Sequence, residues 1–186
     1  MQRIIPTDEQ LSNRLKTGDT EAIVLIYERF KSGLFLFCVR LLSDSSAAED
    51  IVHDTFFTMI VEKSQLKNPA FLKSWIFTIA RNKAFDLLNK KKKIGVLDEY
   101  NENVFSDESF EAGYESNERA MILEKMLDQL LPQYKEVLIL REYESMKYEE
   151  IADVTGTTVS SVKSRLFKAR KALMKKIEPL KTEGAL

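Results

Sequence analysis

The fold of this chain is decided by residues 147–173, which read KYEEIADVTGTTVSSVKSRLFKARKAL. Apolar side chains recur there at three- and four-residue intervals on both sides of Gly156, which predicts two short amphipathic helices. Gly156 stands where a tight turn requires a positive φ, and the small Ala152 precedes it by four residues. Because this spacing suits two helices that cross closely, the stretch predicts a helix-turn-helix.

The second helix of this pair has an outward face of small hydroxyl, basic and aromatic side chains. The face comprises Ser160, Lys163, Ser164, Phe167, Lys168 and Lys171, with Arg165 and Arg170 beside it. Small hydroxyls allow a helix to enter the major groove, lysines reach guanine or phosphate, and a phenylalanine contacts a thymine methyl. We therefore predict that this face binds duplex DNA and that the two arginines contact its phosphates. The alternative is that this helix is simply basic and solvated.

Helical periodicity extends outward from this motif over most of the chain. Thr7 and Gln10 have the spacing of a capping box, Asp19 is placed to cap the next helix, and Asn68-Pro69 reads as an N-cap followed by a first helical residue. A second box at residues 46–49 is expected to begin a helix. Its apolar side comprises Ile51, Val52, Phe56, Met59 and Ile60.

Residues 94–116 interrupt this periodicity. Asp, Glu, Asn, Ser and Gly dominate there, which is typical of a flexible acidic linker. The sequence therefore predicts an all-α fold of two small helical domains, residues 1–93 and 117–186, joined by that linker. The charge is segregated in a similar way. Residues 1–93, 94–124 and 125–186 carry net charges of +4, −8 and +3. Two mildly basic ends on either side of an acidic middle suggest a polyanion-binding surface.

Composition excludes several functional classes. The longest apolar run, residues 34–39, is far shorter than the ~20 residues of a membrane span, and no signal peptide opens the chain. We therefore expect a cytoplasmic protein without direct membrane insertion. The single cysteine, Cys38, excludes an internal disulfide, and its apolar helical face favours core packing over redox sensing. With one histidine, no glycine-rich phosphate loop and no nucleophile motif, we expect neither an enzyme nor a cofactor.

Two further helical faces suggest binding surfaces. Residues 71–93 carry Lys73, Arg81, Lys83 and four consecutive lysines, interleaved with Trp75, Phe77 and Phe85. This pattern is typical of a surface that binds single-stranded nucleic acid. Aromatic side chains at this spacing are, however, more often part of a core, and a structural role is the better interpretation of Trp75. Asp50, His53, Asp54 and Phe57 share one face of the preceding helix, which suits a basic protein partner with an apolar hot spot. Ordinary solvent exposure is the alternative there.

Three segments, taken in order, resemble the small extracytoplasmic-function sigma factors of bacterial RNA polymerase. AEDIVHDTFFTMI, residues 48–60, is similar to the polymerase-binding segment of their domain 2. FLKSWIFTIARNKAFDLLNKKKK, residues 71–93, is similar to the helix that recognises and melts the −10 element. Residues 131–173 are similar to domain 4, which reads the −35 element. The resemblance implies a factor that binds core polymerase, reads −35 duplex and captures the −10 non-template strand, with no catalysis of its own.

The resemblance also implies roles for individual residues. Asp50, His53, Asp54 and Phe57 would dock on the clamp helices of the largest polymerase subunit, and the flap of the second subunit is a further expected contact. Gln65, Lys67 and Asn68 lie in the loop that holds a flipped −10 base, and Lys73, Arg81, Asn82 and Lys83 would contact the −10 strand. Lys163, Ser164, Phe167 and Lys168 correspond to positions that contact −35 bases or backbone. An anti-sigma protein is an expected partner, which could hold the chain at the membrane.

Two departures from the family pattern change these expectations. Some relatives have arginine where this chain has Lys163 and Lys168, and lysine lacks the planar fork that grips guanine, so weaker guanine discrimination or a phosphate role is expected. Thr78 and Ile79 stand where primary sigma factors place an aromatic pair, which predicts limited melting power. The other readings left open are a regulator whose helix-turn-helix resembles response-regulator output domains, and an enzyme with a DNA-binding appendage.

The linker gives a physical reason for dependence on polymerase. About 23 residues extend to at most ~80 Å, but a relaxed coil of that length spans only ~25–30 Å. Promoter elements two DNA turns apart are about 70 Å from each other. Core polymerase is therefore expected to hold the two domains in register. We hypothesise that the acidic residues 98–118 lie in the RNA path of the polymerase or shield the basic faces of the free chain.

Overall fold

A computed structural model of the chain describes residues 6–93 and 118–182; the predicted linker, residues 94–116, lies outside these ranges. The described helices are α1 (Asp8–Lys16), α2 (Thr20–Leu42), α3 (Ser45–Val61), α4 (Leu72–Lys93), α5 (Glu118–Asp128), α6 (Pro132–Glu142), α7 (Tyr148–Thr155) and α8 (Val159–Thr182). No β-strand occurs in the described ranges, and the predicted all-α fold is confirmed.

The first two helices begin as the sequence predicts. Thr7 and Gln10 form a reciprocal capping box, in which the Gln10 N–H donates to the Thr7 hydroxyl and the Thr7 N–H donates to the Gln10 side chain. The Asp19 carboxylate accepts hydrogen bonds from the N–H groups of Glu21 and Ala22. Gly18, with φ of +83°, supplies the left-handed turn between α1 and α2.

The predicted start of α3 is wrong by two residues. Asp44, not Ser46, is the N-cap, because its extended backbone lets its carboxylate accept a hydrogen bond of 2.9 Å from the Ala47 N–H. Lys91, near the end of α4, lies 3.0 Å from the same carboxylate. The N–H of Ala47 and this ion pair lower the pKa of Asp44 from its ordinary value.

Two short 3₁₀ turns, Lys63–Gln65 and Pro69–Phe71, connect α3 to α4. Leu66 is buried between them. Asn68 caps the second turn by accepting a hydrogen bond of 3.1 Å from the Ala70 N–H, so the predicted Asn-Pro start is confirmed. The connection is therefore a fixed loop with defined geometry.

Helices α1 to α4 pack around an aromatic core. Phe37 of α2 meets Phe77 of α4 edge to face, with ring centroids 5.6 Å apart. Phe77 is fully buried, and Trp75 and Phe85 are partly buried against the core, so Phe77 is a core residue, the interpretation that the sequence favours for aromatic side chains at this spacing. Ile60 was predicted on the apolar side of α3 but is 39 % exposed.

Helices α7 and α8 form the predicted helix-turn-helix. Gly156 has φ of +61° and ends α7, and the Thr157 N–H donates to the Ala152 carbonyl across the turn. Val162 and Leu166 of α8 are buried, whereas the opposite side of α8 faces solvent. The turn residue and the apolar faces of both helices were predicted from local sequence alone.

The N-terminal helices α1–α4 and the C-terminal helices α5–α8 pack directly against each other. Helix α4 lies against α7, and α2 lies against α5 and α6. Buried side chains of both sets form one continuous cluster. The sequence predicts two tethered domains but not this contact between them.

Candidate functional site

The outward face of α8 is fully accessible along three helical turns. Ser160, Lys163, Ser164, Phe167 and Lys168 are all exposed there, as predicted. Phe167 is 69 % exposed, although it is a large apolar side chain. Thr158 precedes the helix and its hydroxyl accepts a hydrogen bond from the Ser161 N–H at 3.2 Å, which fixes the start of this face.

A shallow groove runs along one edge of this face. The ammonium of Lys163 lies 5.6 Å from the centre of the Tyr148 ring, so α7 helps to orient this lysine. Further along the helix, the groove is lined by Phe167, Lys171 and Met174. The groove therefore has apolar surface between cations. The apolar surface suits a base edge or methyl group, and the cations suit the neighbouring phosphates.

The two arginines predicted beside this face are already paired within the chain. Arg165 lies 3.3 Å from Glu136, and its side chain is only 24 % exposed. Arg170 donates a hydrogen bond of 2.6 Å to Glu142, which raises the pKa of the guanidinium. To contact DNA, each arginine would have to leave its carboxylate partner and pair with a phosphate instead.

The loop between α3 and α4 exposes two of its three predicted site residues without a side-chain partner in the described ranges. Gln65 and Lys67 are exposed, and the buried Leu66 between them anchors the loop. Asn68 uses its amide oxygen to cap the turn, which leaves its NH₂ group as the available donor. The loop therefore presents both donors and acceptors on a fixed backbone.

The predicted cations of α4 make contacts inside the molecule. Lys73 donates a hydrogen bond of 2.7 Å to the backbone carbonyl of Glu144. Arg81 donates to Glu136 at 2.8 Å, and its guanidinium lies 4.2 Å from the centre of the Phe85 ring. Asn82 is exposed, and the half-buried Lys83 lies 3.7 Å from Asp54 of α3.

The outward face of α3 combines acidic and apolar surface. Asp50, His53, Asp54 and Phe57 are all exposed on it, as predicted. Phe57 is 70 % exposed, and the side chains of Ile60 and Val61 extend the apolar surface. Sequence periodicity missed Ile60 and Val61 as surface residues because they continue an apolar run at the end of the helix. An apolar patch beside carboxylates is suited to a basic protein partner.

A second, more apolar groove lies among α5, α6 and α8. It is lined by Leu123, Leu127, Leu138, Glu142, Tyr143, Arg170 and Leu173. Leu123 and Tyr143 are exposed at its rim. Apart from Arg170, which was predicted beside the DNA face of α8, no residue of this groove was predicted as part of a site. Its apolar lining comes from three helices, and each of these positions has the spacing of an ordinary core residue.

The described ranges contain no group of three His, Cys, Asp or Glu side chains that could hold a metal ion. None of the helices within residues 6–93 and 118–182 has the length and apolarity needed to cross a membrane. The residues predicted as binding sites lie on α3, α4, α8 and the loop that joins α3 to α4.

Comparison with known proteins identifies the family. The family model described as Sigma-70 region 2 matches residues 26–94, and that described as Sigma-70, region 4 matches residues 120–173. The RNA polymerase sigma factor SigV of Bacillus subtilis is 33% identical over 146 residues, which cover 77% of this chain and 83% of that protein. The chain belongs to the sigma-70 family of RNA polymerase sigma factors. It is of the extracytoplasmic-function type.

A further relative has a similar name, and two solved structures have a similar fold. The ECF RNA polymerase sigma factor SigW of Bacillus subtilis is 25% identical over 177 residues, covering 90% of this chain and 95% of that protein. The structure of CnrH in complex with the cytosolic domain of CnrY superimposes with a TM-score of 0.71 at 20% identity, covering 92% of this chain and 97% of that chain. Sigma factor RpoE from Bartonella quintana, solved with the anti-sigma factor NepR, gives a TM-score of 0.64 at 22% identity, covering 87% of this chain and 98% of that chain.

The chain is accordingly a sigma factor for transcription initiation, in a family of non-catalytic DNA-binding regulators. The α3 face, the 62–68 loop and α4 all lie within the region 2 match, and the α8 face lies within the region 4 match. An α/β receiver domain, as in response regulators, is excluded because the N-terminal helices match sigma region 2. The resemblance found in the sequence is confirmed at the level of the family.

Proposed function

We propose that α8 of this sigma factor reads the −35 element in the major groove. The observation that supports this most strongly is the exposed face of α8, on which Phe167 stands among Lys163, Ser164 and Lys168. Residues 155–177 carry seven basic side chains and no acidic one, so the field around the helix attracts phosphate. Phe167 contacts a base methyl, and Lys163 and Lys168 contact guanine acceptors or phosphate.

The 62–68 loop and α4 capture the −10 non-template strand. An extruded base exposes its pairing edge, and Gln65, Lys67 and the NH₂ group of Asn68 supply hydrogen bonds to it. Lys73, Arg81, Asn82 and Lys83 form the polar row of α4 that follows the strand. Of these four, Asn82 is the exposed one in this structure, while the three cations have intramolecular partners.

Core polymerase binds through two separate surfaces of the chain. The α3 face, with Asp50, His53, Asp54 and Phe57, docks on the clamp helices of the largest subunit. The groove among α5, α6 and α8 accepts the flap of the second subunit, because it is an apolar channel with an exposed leucine and tyrosine at its rim. Two weak contacts on one partner reinforce each other through effective concentration.

An anti-sigma protein is the proposed inhibitor of this factor. The Bartonella quintana RpoE of similar fold was solved as a complex with the anti-sigma factor NepR. We place the chain in the cytoplasm, where core polymerase and promoter DNA are found. A membrane-bound anti-sigma protein would hold it at the membrane without insertion of the chain itself.

The test of the proposed function is reconstitution with sigma-free core RNA polymerase. We expect a co-eluting complex that produces discrete transcripts from genomic DNA, whose aligned start sites give the −10 and −35 sequences. A chain that binds duplex DNA alone but neither associates with core polymerase nor produces discrete starts contradicts the proposal.

Once the −35 sequence is known, Phe167→Ala isolates the role of α8. We expect about a tenfold loss of affinity of the holoenzyme for its promoter, because base contacts of this kind contribute about 1–3 kcal/mol each. Lys175→Ala is the matched control, since Lys175 is also exposed on α8 but lies beyond the predicted face. Equal effects of both substitutions would show that the loss is not specific to the predicted face, and would contradict the assignment of Phe167 to a base contact.

A further inference from the structure

The four aromatic side chains of residues 62–93 differ in their surroundings. Phe77 is fully buried, and Trp75 and Phe85 are partly buried against the core. Phe71, the residue just before α4, is 42 % exposed. It is therefore the one aromatic side chain of this segment that presents its ring to solvent.

The backbone around Phe71 is held on both sides. The Phe71 N–H donates a hydrogen bond of 3.1 Å to the Asn68 carbonyl, which closes the 3₁₀ turn Pro69–Phe71. The next residue, Leu72, is fully buried at the start of α4, and Leu66 is buried on the other side of the turn. The Phe71 ring is therefore presented from a backbone of defined geometry.

Helix α1 supports the same connection, since it packs against both 3₁₀ turns. At the C-terminal end of α1, the Lys16 ammonium donates a hydrogen bond of 3.5 Å to the Lys67 carbonyl. In the other direction, the Lys63 ammonium lies close to Gly18, where a Cβ atom would be 3.3 Å from it. The two lysines link the loop to the end of α1, so a ligand that binds this loop meets a surface that is already organised.

Hydrogen-bond donors lie close to the ring in the chain. A turn closed by a hydrogen bond between its first and fourth residues keeps their Cα atoms within about 7 Å of each other, so Asn68 and Phe71 are neighbours. The Asn68 amide oxygen accepts from the Ala70 N–H, which leaves its NH₂ group as a donor. Gln65 and Lys67 are exposed earlier in the same loop. An exposed ring beside such groups suits an unpaired base, which binds through its face and its edge together.

The Phe71 ring has no aromatic or cationic partner within residues 6–93 and 118–182, whereas cations of α4 lie over the rings of Phe77 and Phe85. A single exposed apolar side chain is common on proteins and by itself indicates no function. Phe71 differs from that ordinary case because it stands on a fixed turn, beside donors suited to the edge of a base. A stacked base would cover the ring that the fold leaves open.

We propose that Phe71 is the stacking platform for the base captured from the −10 non-template strand, with the Asn68 NH₂ group at the edge of that base. The inference rests on the proposed function, because it adds a residue to the loop assigned there to base capture. Stacking tolerates every base, since each has a π face. The ring therefore supplies affinity, and the donors of the loop supply selectivity.

The test is a thermodynamic cycle between the ring and one base. It uses the holoenzyme formed from the full chain and core polymerase, and a single-stranded oligonucleotide with the −10 sequence that the aligned start sites give. Each −10 nucleotide is replaced in turn by an abasic site, which keeps the phosphates and removes the base. Phe71→Leu removes the ring and keeps an apolar side chain at an exposed position, so the variant should fold as the parent does.

We expect F71L to weaken binding of the intact strand about tenfold, which is the size of effect typical for loss of one base–aromatic stack. On the strand that is abasic at the captured position, F71L and the parent should bind equally. On strands that are abasic elsewhere, the tenfold difference should persist. Phe71→Tyr keeps the ring and should match the parent throughout, whereas an apolar packing role would be filled by leucine as well.

Leu131→Ala is the matched control for loss of exposed apolar surface. Leu131 is also 42 % exposed, but it lies at the start of α6 and is assigned to no binding surface. The L131A holoenzyme should bind every strand, intact or abasic, with the affinity of the parent.

Two outcomes overturn the proposal. In the first, F71L binds the intact strand as tightly as the parent. In the second, F71L binds every strand more weakly by the same factor, including each abasic strand, which would mean that Phe71 acts on the loop and not on a base. Failure of the sigma function is detected separately, by the absence of discrete starts with core polymerase, and this inference would then fall with it.

Discussion

The thiol of Cys38 lies on α2 with none of its surface exposed, and burial raises its pKa from 9.0 to about 12. The reactive thiolate is therefore scarce in the native chain at neutral pH. We predict that a thiol reagent at about pH 8 modifies the native chain at least about a hundredfold more slowly than the unfolded chain, because the buried thiol is both largely protonated and out of reach of the reagent.

Stopped-flow labelling with and without denaturant measures this ratio. Ser46→Cys provides the control, since Ser46 is exposed at the start of α3 and should react at the rate of a free thiol. Similar rates for native and unfolded Cys38 would show that this part of α2 opens readily, and the thiol would then be available to oxidants.

Individual side chains differ in how well the sequence predicted them. Phe57 and Phe167 were predicted on outward faces and are exposed, because helical periodicity fixes the direction of each position relative to its neighbours. Ile60 was predicted on the apolar side of α3 but is 39 % exposed, because periodicity alone does not say how wide the buried stripe of a helix is. That width depends on which helices pack against it.

At the scale of the element, the start of α3 depends on Asp44. Its carboxylate accepts the hydrogen bond of the Ala47 N–H and pairs with Lys91. We predict that Asp44→Ala lowers the free energy of unfolding by about 1 kcal/mol at pH 7, which is typical for loss of an N-cap. Ser46→Ala should have little effect, since Ser46 is not the cap. Urea denaturation of both variants measures the difference.

This effect has a defined pH dependence. The pKa of Asp44 is lowered from 3.8 in the folded chain, chiefly by the Ala47 N–H. A lowered pKa means that the ionised form stabilises the fold, so the contribution is present above pH 3.8 and is lost as the pH falls through the folded value. The difference between D44A and the parent should shrink on acidification; a constant difference would contradict the electrostatic origin of the cap.

The face of α3 leads to a prediction about assembly. Phe57 is 70 % exposed between carboxylates, and a large apolar side chain in that setting is a typical hot spot. We predict that Phe57→Ala weakens binding to core polymerase at least tenfold, with unchanged stability of the free chain. Val24→Ala, at another exposed apolar position, should bind core polymerase normally. Titration of labelled chain with core polymerase checks both.

The elements themselves were predictable because their signals are local. The caps at Thr7 and Asp19, the Asn68-Pro69 start and the turn at Gly156 each depend on a few adjacent residues, and all four lie where predicted. The contact between the two sets of helices has no such signal. Arg81 and Glu136 are 55 residues apart, and nothing in either local pattern indicates that they meet.

At the scale of the whole molecule, several cations that the sequence predicts as nucleic-acid contacts are paired with carboxylates of the same chain. Lys73, Arg81 and Arg165 were predicted as nucleic-acid contacts, and all three pair with carboxylates of the C-terminal part of the chain, namely Glu144 and Glu136. Whether a cation is available thus depends on the arrangement of the helices as well as on the sequence.

Simultaneous reading of both promoter elements, as proposed above, would require α4 and α8 to lie far apart. Helix α4 packs directly on α7 in the structure, whereas the −10 and −35 elements lie about 70 Å apart along DNA. We predict that labels at Glu9→Cys and Lys175→Cys move apart when core polymerase binds and stay apart when promoter DNA is added. Promoter DNA without polymerase should leave the distance short, because the α8 face can bind duplex while α4 remains covered. Time-resolved energy transfer on the labelled chain measures all three states. A holoenzyme with the distance of the free chain would mean that the C-terminal helices remain on α4 during initiation, and the two-site reading of the promoter would then have to be abandoned.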